Sequence, residues 1–366
     1  MQQQAARPRR LKILAAATAV TACVGGAFVA GVVTAQAAKP KPASITLQTE
    51  FDHIGAEVHS MDHAGRDVYY IDEGQPGQRA VVFIGGQGTS LEAFQLSEFA
   101  RTSREKLGLR VISVERNGFG ESPLDLSLGY ADYTAEVLAV LEHLDIDRFV
   151  IVGISGGGAY SAHLAAAVPD RVISLHAAAA TDSTLPNRNP RNCSLTFEQR
   201  NASNQFWYEN PKVWWGVPGS PVLVIPGWQA TAYLDAVRSF HVGGGPIDPS
   251  PLSHEGELPC LSGAFVDPAQ ITSPTYLYWG GADTTVPISV MENWQEALPN
   301  VVKAAVYPGE GHTVQYRHWD QILLDMAGHS DQTVICKNGQ TKTVPNAEVN
   351  VQVAGGATLG LCAWVP

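Results

Sequence analysis

The sequence predicts an α/β fold built on a mainly parallel, doubly wound sheet. Continuous apolar runs such as Ala80–Ile84 and Phe149–Val152 are typical of parallel strands, because both faces of such strands are covered. Stretches with helical spacing alternate with these runs, which indicates helices on both faces of the sheet. A glycine-rich turn, Gly153–Gly157, connects one of the strands directly to a helical stretch.

Residues 1–37 are expected to be a secretory signal peptide. Four cations precede the apolar stretch Ile13–Val33, and Ala35–Ala37 has the small residues of a cleavage site. Three alternatives stay open: a lipoprotein box ending at Cys23, a twin-arginine signal at Arg9–Arg10, and an uncleaved membrane anchor. A linker containing Pro and Lys follows and covers residues 38–50.

The charge balance restricts the partners. The whole chain has a formal charge of −11, and loss of the four N-terminal cations would leave −15. So acidic a surface argues against nucleic acid or an anionic membrane as a partner. Neither charge nor composition indicates the oligomeric state.

The predicted core covers residues 51–180 and 272–329. Its first strands form a hairpin over His59–Asp72, with Ala64–Asp67 as the turn. The strands that follow are Ala80–Ile84, Leu109–Val114, Phe149–Val152, Val172–Leu175, Pro274–Trp279 and Val302–Tyr307. Four helices are expected. The first is indicated by an apolar stripe at helical spacing, Tyr133, Val137, Val140, Leu141 and Leu144, and the others are Ala159–Ala167, Ile288–Leu298 and His318–Ala327.

Residues 181–271 interrupt this alternation. They are rich in Pro, Gly, Asn and Trp, and a structureless loop of that length would be improbable in a compact domain. We therefore expect an inserted cap subdomain. Its aromatic residues either line an apolar pocket or build the cap's own small core; they are Phe206, Trp207, Tyr208, Trp214, Trp215 and Trp228.

Residues 330–366 are expected to form a small C-terminal β-hairpin extension. Two strand-like runs, Thr333–Cys336 and Thr341–Val344, flank Asn338–Gly339, and Asn-Gly is a strong hairpin signal. The alternating segment Val349–Val353 suggests a further strand, as does Leu361–Trp364.

Four cysteines follow the predicted signal peptide, and an even number in an exported protein suggests two disulfides. Three connectivities are open. We favour Cys193–Cys260 and Cys336–Cys362, because each pair lies within one segment outside the core. The two-residue spacing of zinc sites is missing, so no metal is expected.

The turn Gly153–Gly157 predicts a nucleophile, Ser155, placed between a strand and a helix. A serine needs a neighbouring base, and the base needs an orienting acid. His312 and Asp283 both follow strand ends, where ligands bind in open α/β sheets. Asp182 is the alternative acid, and the alternative role of Asp283 is to cap the next helix. Glu310 is expected to be a solvated neighbour.

An oxyanion needs preorganised hydrogen-bond donors. Gly156 N–H, directly after the serine, is the first candidate, and Gln87 N–H is the second. The loop Gly85–Gly88 allows the backbone to approach closely, although its three glycines would also suit a simple turn.

On these motifs the chain resembles the α/β-hydrolase superfamily, in its cap-bearing esterase and peptidase branch. The resemblance runs from about Asp67 to Ala327, is interrupted by the cap, and includes Arg116–Ser122, which is similar to the family's R-G-x-G-x-S loop. It implies acyl-transfer hydrolysis of a small-molecule substrate without metal or organic cofactor. The family's oxyanion loop usually begins His-Gly; here it reads Gly85–Gly88, which leaves the identity of the second donor open.

The expected function is therefore that of an exported serine hydrolase that cleaves carboxylic esters. One alternative is an exported aminopeptidase or prolyl-type peptidase on the same fold, which needs a carboxylate to hold the substrate's amino group. The cap offers Glu209, Asp235 and Glu255 for that role. The other alternative is a non-catalytic binding protein of the same fold.

Overall fold

An eight-stranded sheet forms the centre of the protein. The predicted signal peptide and linker lie outside the described residues. The computed structural model describes residues 55–185, 193–210, 228–240 and 248–362. All of them lie in one compact unit, Pro42–Pro366.

The sheet is mainly parallel, as predicted. Its strands are β1 (Val58–His63), β2 (Arg66–Glu73), β3 (Arg79–Ile84), β4 (Leu109–Val114), β5 (Phe149–Ile154), β6 (Val172–Ala178), β7 (Thr275–Gly280) and β8 (Val301–Tyr307). Their order across the sheet is β1-β2-β4-β3-β5-β6-β7-β8. The pairs β1–β2 and β2–β4 are antiparallel, and every pair from β4 to β8 across the sheet is parallel.

Helices cover both faces of this sheet. A ten-residue 3-10 helix, Leu91–Ala100, precedes the first α-helix. The α-helices are α1 (Arg101–Lys106), α2 (Tyr130–His143), α3 (Gly157–Ala167), α4 (Phe197–Glu209), α5 (Trp228–Phe240), α6 (Ser250–Glu257), α7 (Ile288–Ala297), α8 (Val314–Arg317), α9 (Trp319–Met326) and α10 (Val349–Ala354). Among the described residues, none of the helices combines the length and apolar character that crossing a bilayer requires.

The strands are buried on both sides because each face carries its own apolar core. Along β5, Val150 and Val152 pack into one core, whereas Phe149 and Ile151 pack into the other. The 3-10 helix and α9 cover the first core, and α2, α3 and α7 cover the second. The continuous apolar run of β5 follows directly from this two-sided burial.

Helix α2 confirms the predicted amphipathic stripe. Tyr133, Val137, Val140 and Leu141 face the second core and are at most 3% exposed. The helix begins after Gly129, whose N–H donates to the Asp132 carboxylate at 2.8 Å. An acidic residue in the first turn also suits the positive end of the helix dipole.

The first hairpin has a tighter turn than the sequence predicts. Ala64 and Gly65 alone form the turn, with φ of 56° and 82°, whereas Arg66 and Asp67 already pair within β2. Two successive positive φ values give a turn whose twist matches that of the strands it joins.

The described parts of the cap, residues 181–271, include α4, α5 and α6. Cys193 and Cys260 form a disulfide between the beginning and the end of the cap. The described cap aromatics take both expected roles. Tyr208 packs in a small cap core that Trp207 also contacts, and Trp207 and Trp228 line a cavity. Phe206 is 51% exposed. Trp214 and Trp215 lie outside the described residues.

The C-terminal extension is a three-stranded sheet, and one prediction about it is wrong. Strands β9 (Gln332–Lys337) and β10 (Gln340–Pro345) form the hairpin around Asn338–Gly339, while β11 (Thr358–Leu359) pairs with the other edge of β9. Val349–Val353, expected as a strand, lies in helix α10.

The order of this small sheet, β10-β9-β11, explains the error. The chain must cross one face of the β9–β10 hairpin to reach the far edge of β9, and the short helix makes that crossing. Val349 packs on the apolar cluster of Ile335, Val344 and Ala357. The segment Leu361–Trp364 supplies no strand at its described residues, and Cys362 instead forms a disulfide with Cys336.

Candidate active site

Ser155 lies in the tight turn between β5 and α3. Its φ of 49° is in the left-handed region, which residues with a side chain adopt only at an energetic cost. A Cβ at Gly153 would collide with the Ser161 side chain. A Cβ at Gly157 would collide with the Ile84 carbonyl. Only glycine fits on either side, so the turn holds Ser155 in one conformation at the carboxyl end of β5.

The imidazole of His312 lies between Ser155 and Asp283. His312 Nε2 is 2.9 Å from Ser155 Oγ, and His312 Nδ1 is 2.8 Å from Asp283 Oδ2. A carboxylate only accepts hydrogen bonds, so we assign the ring proton to Nδ1. This tautomer leaves Nε2 as an acceptor for the serine hydroxyl.

Both carboxylate oxygens of Asp283 make hydrogen bonds. Its second oxygen, Oδ1, accepts hydrogen bonds from the N–H groups of Thr285 at 2.8 Å and Val286 at 3.0 Å. The carboxylate is fully buried. It therefore stabilises the turn that precedes α7 and contacts His312 at the same time. It does not cap the helix itself, because the N-cap of α7 is Pro287.

Asp182, the alternative acid, lies after β6 and has a different environment. Its Oδ1 accepts hydrogen bonds from the N–H and the hydroxyl of Thr184, both at 2.7 Å. The carboxylate in contact with His312 is that of Asp283.

Backbone contacts hold the His312 loop. Ala282 N–H donates to the Glu310 carbonyl at 2.8 Å, and Gly281 N–H donates to the Tyr307 carbonyl at 2.9 Å. A Cβ at Gly280 would collide with the Glu310 carbonyl, so the two loops approach each other this closely only at a glycine. The loops after β7 and β8 are thereby fixed to one another.

Glu310 is not the solvated neighbour that the sequence predicts. Its carboxylate lies 2.9 Å from His318 Nε2 and 3.5 Å from Arg317 Nε. His318 stacks on the ring of Tyr307, with the ring centroids 3.5 Å apart. Burial lowers the pKa of His318, against the opposing effect of Glu310. Glu310 therefore fastens the His312 loop to the residue that precedes α9.

The loop Gly85–Gly88 packs directly on the Ser155 turn. A Cβ at Gly156 would be 2.6 Å from Gln87 N, and a Cβ at Gly86 would be 3.4 Å from Ser155 Cβ. The structure therefore brings the backbone of both predicted oxyanion donors, Gly156 and Gln87, together beside the serine.

Comparison with known proteins agrees with this architecture. The sequence model of the alpha/beta hydrolase fold family matches residues 79–318, which is more than half of the chain. The chain belongs to the α/β-hydrolase fold family. The matched residues include Ser155, Asp283 and His312.

Solved structures of other α/β hydrolases have the same fold as this family member. A hydrolase from Pseudomonas aeruginosa is 17% identical, with a TM-score of 0.57 over 74% of this chain and 98% of its own. A bromoperoxidase from Bacillus anthracis is 24% identical, with a TM-score of 0.54 over 75% and 100%. An esterase from Thermogutta terrifontis is 16% identical, with a TM-score of 0.55 over 75% and 97%.

One curated relative matches over a shorter region. The dihydrolipoyllysine-residue acetyltransferase component of the acetoin cleaving system from Pseudomonas putida is 34% identical over 122 residues. That region is 33% of this chain and 32% of the relative, so the chain spans about a third of that protein's length.

Two cavities meet the Ser155 turn of this α/β hydrolase, and Gln87 and Thr285 line both of them. The first, here called the aromatic chamber, has a volume of about 430 Å³, and its walls include Ser155, His312, Phe83, Trp207, Trp228 and Tyr316. The second chamber has a volume of about 470 Å³, and its walls include Gly156, Tyr130, Tyr160, Asp182, Glu255 and Phe265. The side chains of Ser155 and His312 thus face the aromatic chamber, and the second chamber reaches the turn at Gly156.

Sequence reasoning missed a group of buried charges behind the loop Gly85–Gly88. Each of the four residues Arg116, Glu115, Asp235 and Glu255 is at most 6% exposed. Burial raises the pKa of Glu115 to about 7 and raises that of Asp235 well above its ordinary value. Arg116 lies in the stretch that resembles the family, but nothing local in the sequence connects it to the cap carboxylates.

Proposed function

We propose that the protein is a serine hydrolase that cleaves carboxylic esters through Ser155, His312 and Asp283. The observation that carries the proposal is the chain of two hydrogen-bond distances, 2.9 Å from Ser155 to His312 and 2.8 Å from His312 to Asp283. Nucleophile, base and orienting acid are recognised by this geometry and not by their positions in the sequence.

The first half of the reaction forms an acyl-enzyme. Ser155 Oγ attacks the carbonyl carbon of the ester while its proton passes to His312 Nε2. The tetrahedral intermediate then breaks the C–O bond to the leaving alcohol, and His312 returns the proton to the alcohol oxygen. Asp283 keeps the ring in the required tautomer and stabilises the imidazolium.

The second half releases the acid. Water attacks the acyl carbon as His312 takes its proton. The second tetrahedral intermediate then breaks its bond to Ser155 Oγ, and His312 returns the proton to that oxygen. In both halves the negative oxygen would accept hydrogen bonds from the N–H groups of Gly156 and Gln87, whose backbones lie side by side.

The positions of the cap carboxylates favour an ester over a peptide substrate. Asp235 accepts a hydrogen bond from the Ser90 hydroxyl at 2.5 Å. Glu255 accepts one from Gly88 N–H at 2.6 Å and pairs with Arg116. Glu209 is exposed and bonds to Gln205 on its own helix. Asp235 and Glu255 are therefore engaged in buried contacts, and Glu209 lies on the surface. Glu255 also lines the second chamber, where a substrate's amino group would have to compete with Arg116 for its carboxylate.

The proposal is tested by assaying purified protein on p-nitrophenyl esters and on aminoacyl p-nitroanilides. We expect ester hydrolysis with little anilide hydrolysis, and loss of both fluorophosphonate labelling and turnover in Ser155→Ala. Ser127→Ala, on an exposed loop, serves as the matched control and should keep both. Faster anilide cleavage would favour the peptidase. Absence of labelling and of turnover in the wild type would favour the non-catalytic binding protein.

We also propose that the protein is exported. The two disulfides, Cys193–Cys260 and Cys336–Cys362, suit an oxidising compartment, and the predicted signal peptide agrees with them. Recovery of the protein outside the cytoplasm with Ala38 as its first residue is the expected result. A cytoplasmic protein that retains residues 1–37 would contradict it.

A further inference from the structure

The loop that carries Gln87 is wrapped around the guanidinium of Arg116. Arg116 Nη2 donates to the Gly86 carbonyl at 2.6 Å and to the Thr89 carbonyl at 2.5 Å. Nη1 lies 3.3 Å from the Gly85 carbonyl. Three carbonyls of one short loop therefore point at a single buried cation.

One of these contacts determines where the Gln87 N–H points. The carbonyl of Gly86 and the N–H of Gln87 belong to the same peptide group, which is planar and trans. In such a group the C=O and N–H bonds point in opposite directions. When Arg116 holds the Gly86 carbonyl on one side of the loop, the Gln87 N–H is directed to the other side, where Gly156 and Ser155 lie.

Arg116 in turn depends on a carboxylate from the cap. Glu255, in helix α6, lies 2.6 Å from Arg116 Nη1, and the two side chains are 5% and 4% exposed. Its other oxygen accepts the Gly88 N–H at 2.6 Å. The same carboxylate thus neutralises the cation inside the loop and binds the loop backbone one residue after Gln87.

Glu255 has no equivalent substitute among the described acids near Arg116. Glu115 contacts the backbone N–H of Arg116 at 3.3 Å and of Leu91 at 2.9 Å, while the charge nearest to its other oxygen is Arg238, at 3.9 Å. Burial raises the pKa of Glu115 to about 7, so it carries only part of a charge at neutral pH. A buried arginine without a charged partner is strongly unfavourable.

We propose that Glu255 is a positioning residue of the oxyanion hole and acts through Arg116 on the direction of the Gln87 N–H. The proposal rests on the ester-hydrolase function proposed above. Because Glu255 belongs to the cap, the hole has its working shape only while the cap is docked on the core. The cap is then part of the catalytic apparatus as well as the wall of the substrate chambers.

The test uses Glu255→Gln, with Glu198→Gln as the matched control. Glu198 is an exposed glutamate in the first turn of α4, another helix of the cap. We expect Glu255→Gln to lower kcat about 10- to 100-fold while KM changes less than about 2-fold, because an oxyanion donor acts on the transition state. Glu198→Gln should change neither constant by more than about 2-fold.

A second readout separates positioning from general damage. A trifluoromethyl ketone adds to the serine and places a negative oxygen in the hole, as the transition state does. Its inhibition constant should weaken in Glu255→Gln by the same factor as kcat falls. Unchanged kcat, an effect on KM alone, or a fall in kcat with full affinity for the ketone would each overturn the proposal.

Two further variants keep the test decisive. If Glu255→Gln is insoluble, Glu255→Asp replaces it, because the aspartate keeps the buried charge but moves its oxygen away from Gly88. The same fall in kcat and the same loss of affinity for the ketone are expected. Ser155→Ala is assayed in parallel. Turnover in Ser155→Ala would refute the proposed function, whereas an inactive Ser155→Ala beside a fully active Glu255→Gln refutes only the role of Glu255.

Discussion

The two sides of the candidate active site are held together by different forces. The Ser155 turn and the His312 loop rest on backbone hydrogen bonds and glycine contacts, and the His312 loop also on the contact of Glu310 with His318, all within the core. The loop that carries Gln87 instead rests on the charged side chains of Arg116 and Glu255, and Glu255 comes from the cap. The proposed triad therefore depends on the core alone, while the proposed oxyanion hole depends on the contact between core and cap.

This difference allows the two sides to be varied separately. The backbone hydrogen bonds of the core loops do not titrate and do not involve the cap. A loop held by buried charges responds to any change that moves the cap or alters those charges. Substitutions in the triad should therefore abolish turnover without affecting the cap, and changes in the cap should reduce turnover by smaller factors.

The largest effect is expected for His312→Ala. Removal of the base should lower kcat by about four to six orders of magnitude, because Ser155 and His312 act as one unit. The measurement is steady-state hydrolysis of a p-nitrophenyl ester. His143→Ala, at the exposed end of α2, is the control and should keep full activity. Retention of a tenth of the activity in His312→Ala would show that the imidazole is not the base.

The next largest effect is expected for Asp283→Asn. The amide would no longer hold the tautomer in which Nε2 accepts the serine proton, so kcat should fall about 10⁴-fold with the fold intact. Asp182→Asn gives the direct comparison, because Asp182 contacts Thr184 and not His312. An equal or larger loss of kcat in Asp182→Asn would assign the acid to the other loop.

A smaller effect should follow from removing the cap disulfide. Cys193 and Cys260 are 67 residues apart, and loop entropy predicts a loss of at most about 4 kcal/mol of stability. Because the cap carries Glu255, we expect kcat to fall several-fold in the Cys193→Ser and Cys260→Ser double variant. Circular dichroism melting curves and ester kinetics measure both effects.

The disulfide of the extension provides the contrast. Cys336 and Cys362 are 26 residues apart, so their replacement by serine should cost about 3 kcal/mol or less. Their double variant should keep kcat within about 2-fold, since the β9–β11 sheet supplies no residue to either chamber. Equal losses of kcat in the two double variants would remove the distinction between cap and extension.

The smallest effect is expected on the pH dependence of the free energy of unfolding. Burial raises the pKa of Glu115 from 4.5 to about 7 in the folded state. The folded protein then keeps a proton that the unfolded chain has released. The stability associated with this proton is fully present below about pH 4.5 and is lost as the pH rises through about 7.

Replacement of Glu115 by glutamine should remove this dependence. The free energy of unfolding of Glu115→Gln should fall less steeply than that of the wild type between about pH 5 and pH 7.5, by at most about 3 kcal/mol. Calorimetry across that range is the measurement, with Glu105→Gln, at an exposed position of α1, as control. Parallel curves for Glu115→Gln and the wild type would contradict the prediction.

Much of the core could be predicted because its signals are local. A strand buried on both faces needs a continuous apolar run, and β3 and β5 have one. The apolar stripe of α2 corresponds to the one face of this helix that is buried. The alternation of Val349, Val351 and Val353 misled, because Val351 is 72% exposed and the segment serves as a helical crossover.

The candidate site also contains residues with a local sequence signal and residues without one. Ser155, Asp283 and His312 follow strand ends, and parallel strands bring their carboxyl ends to one edge, so the sequence order was enough to group them. The pairing of Arg116 with Glu255 joins positions 139 residues apart in sequence. It depends on how α6 docks on the core, and no local pattern encodes that docking.

The most direct test of Ser155 as the nucleophile is its stoichiometric titration with a fluorophosphonate. Ester hydrolysis should decline in proportion to the amount of phosphonylated Ser155 found by peptide mass spectrometry, with complete inactivation at one adduct per chain. Full hydrolysis by protein whose Ser155 is completely phosphonylated, or inactivation with the adduct on another residue, would contradict it.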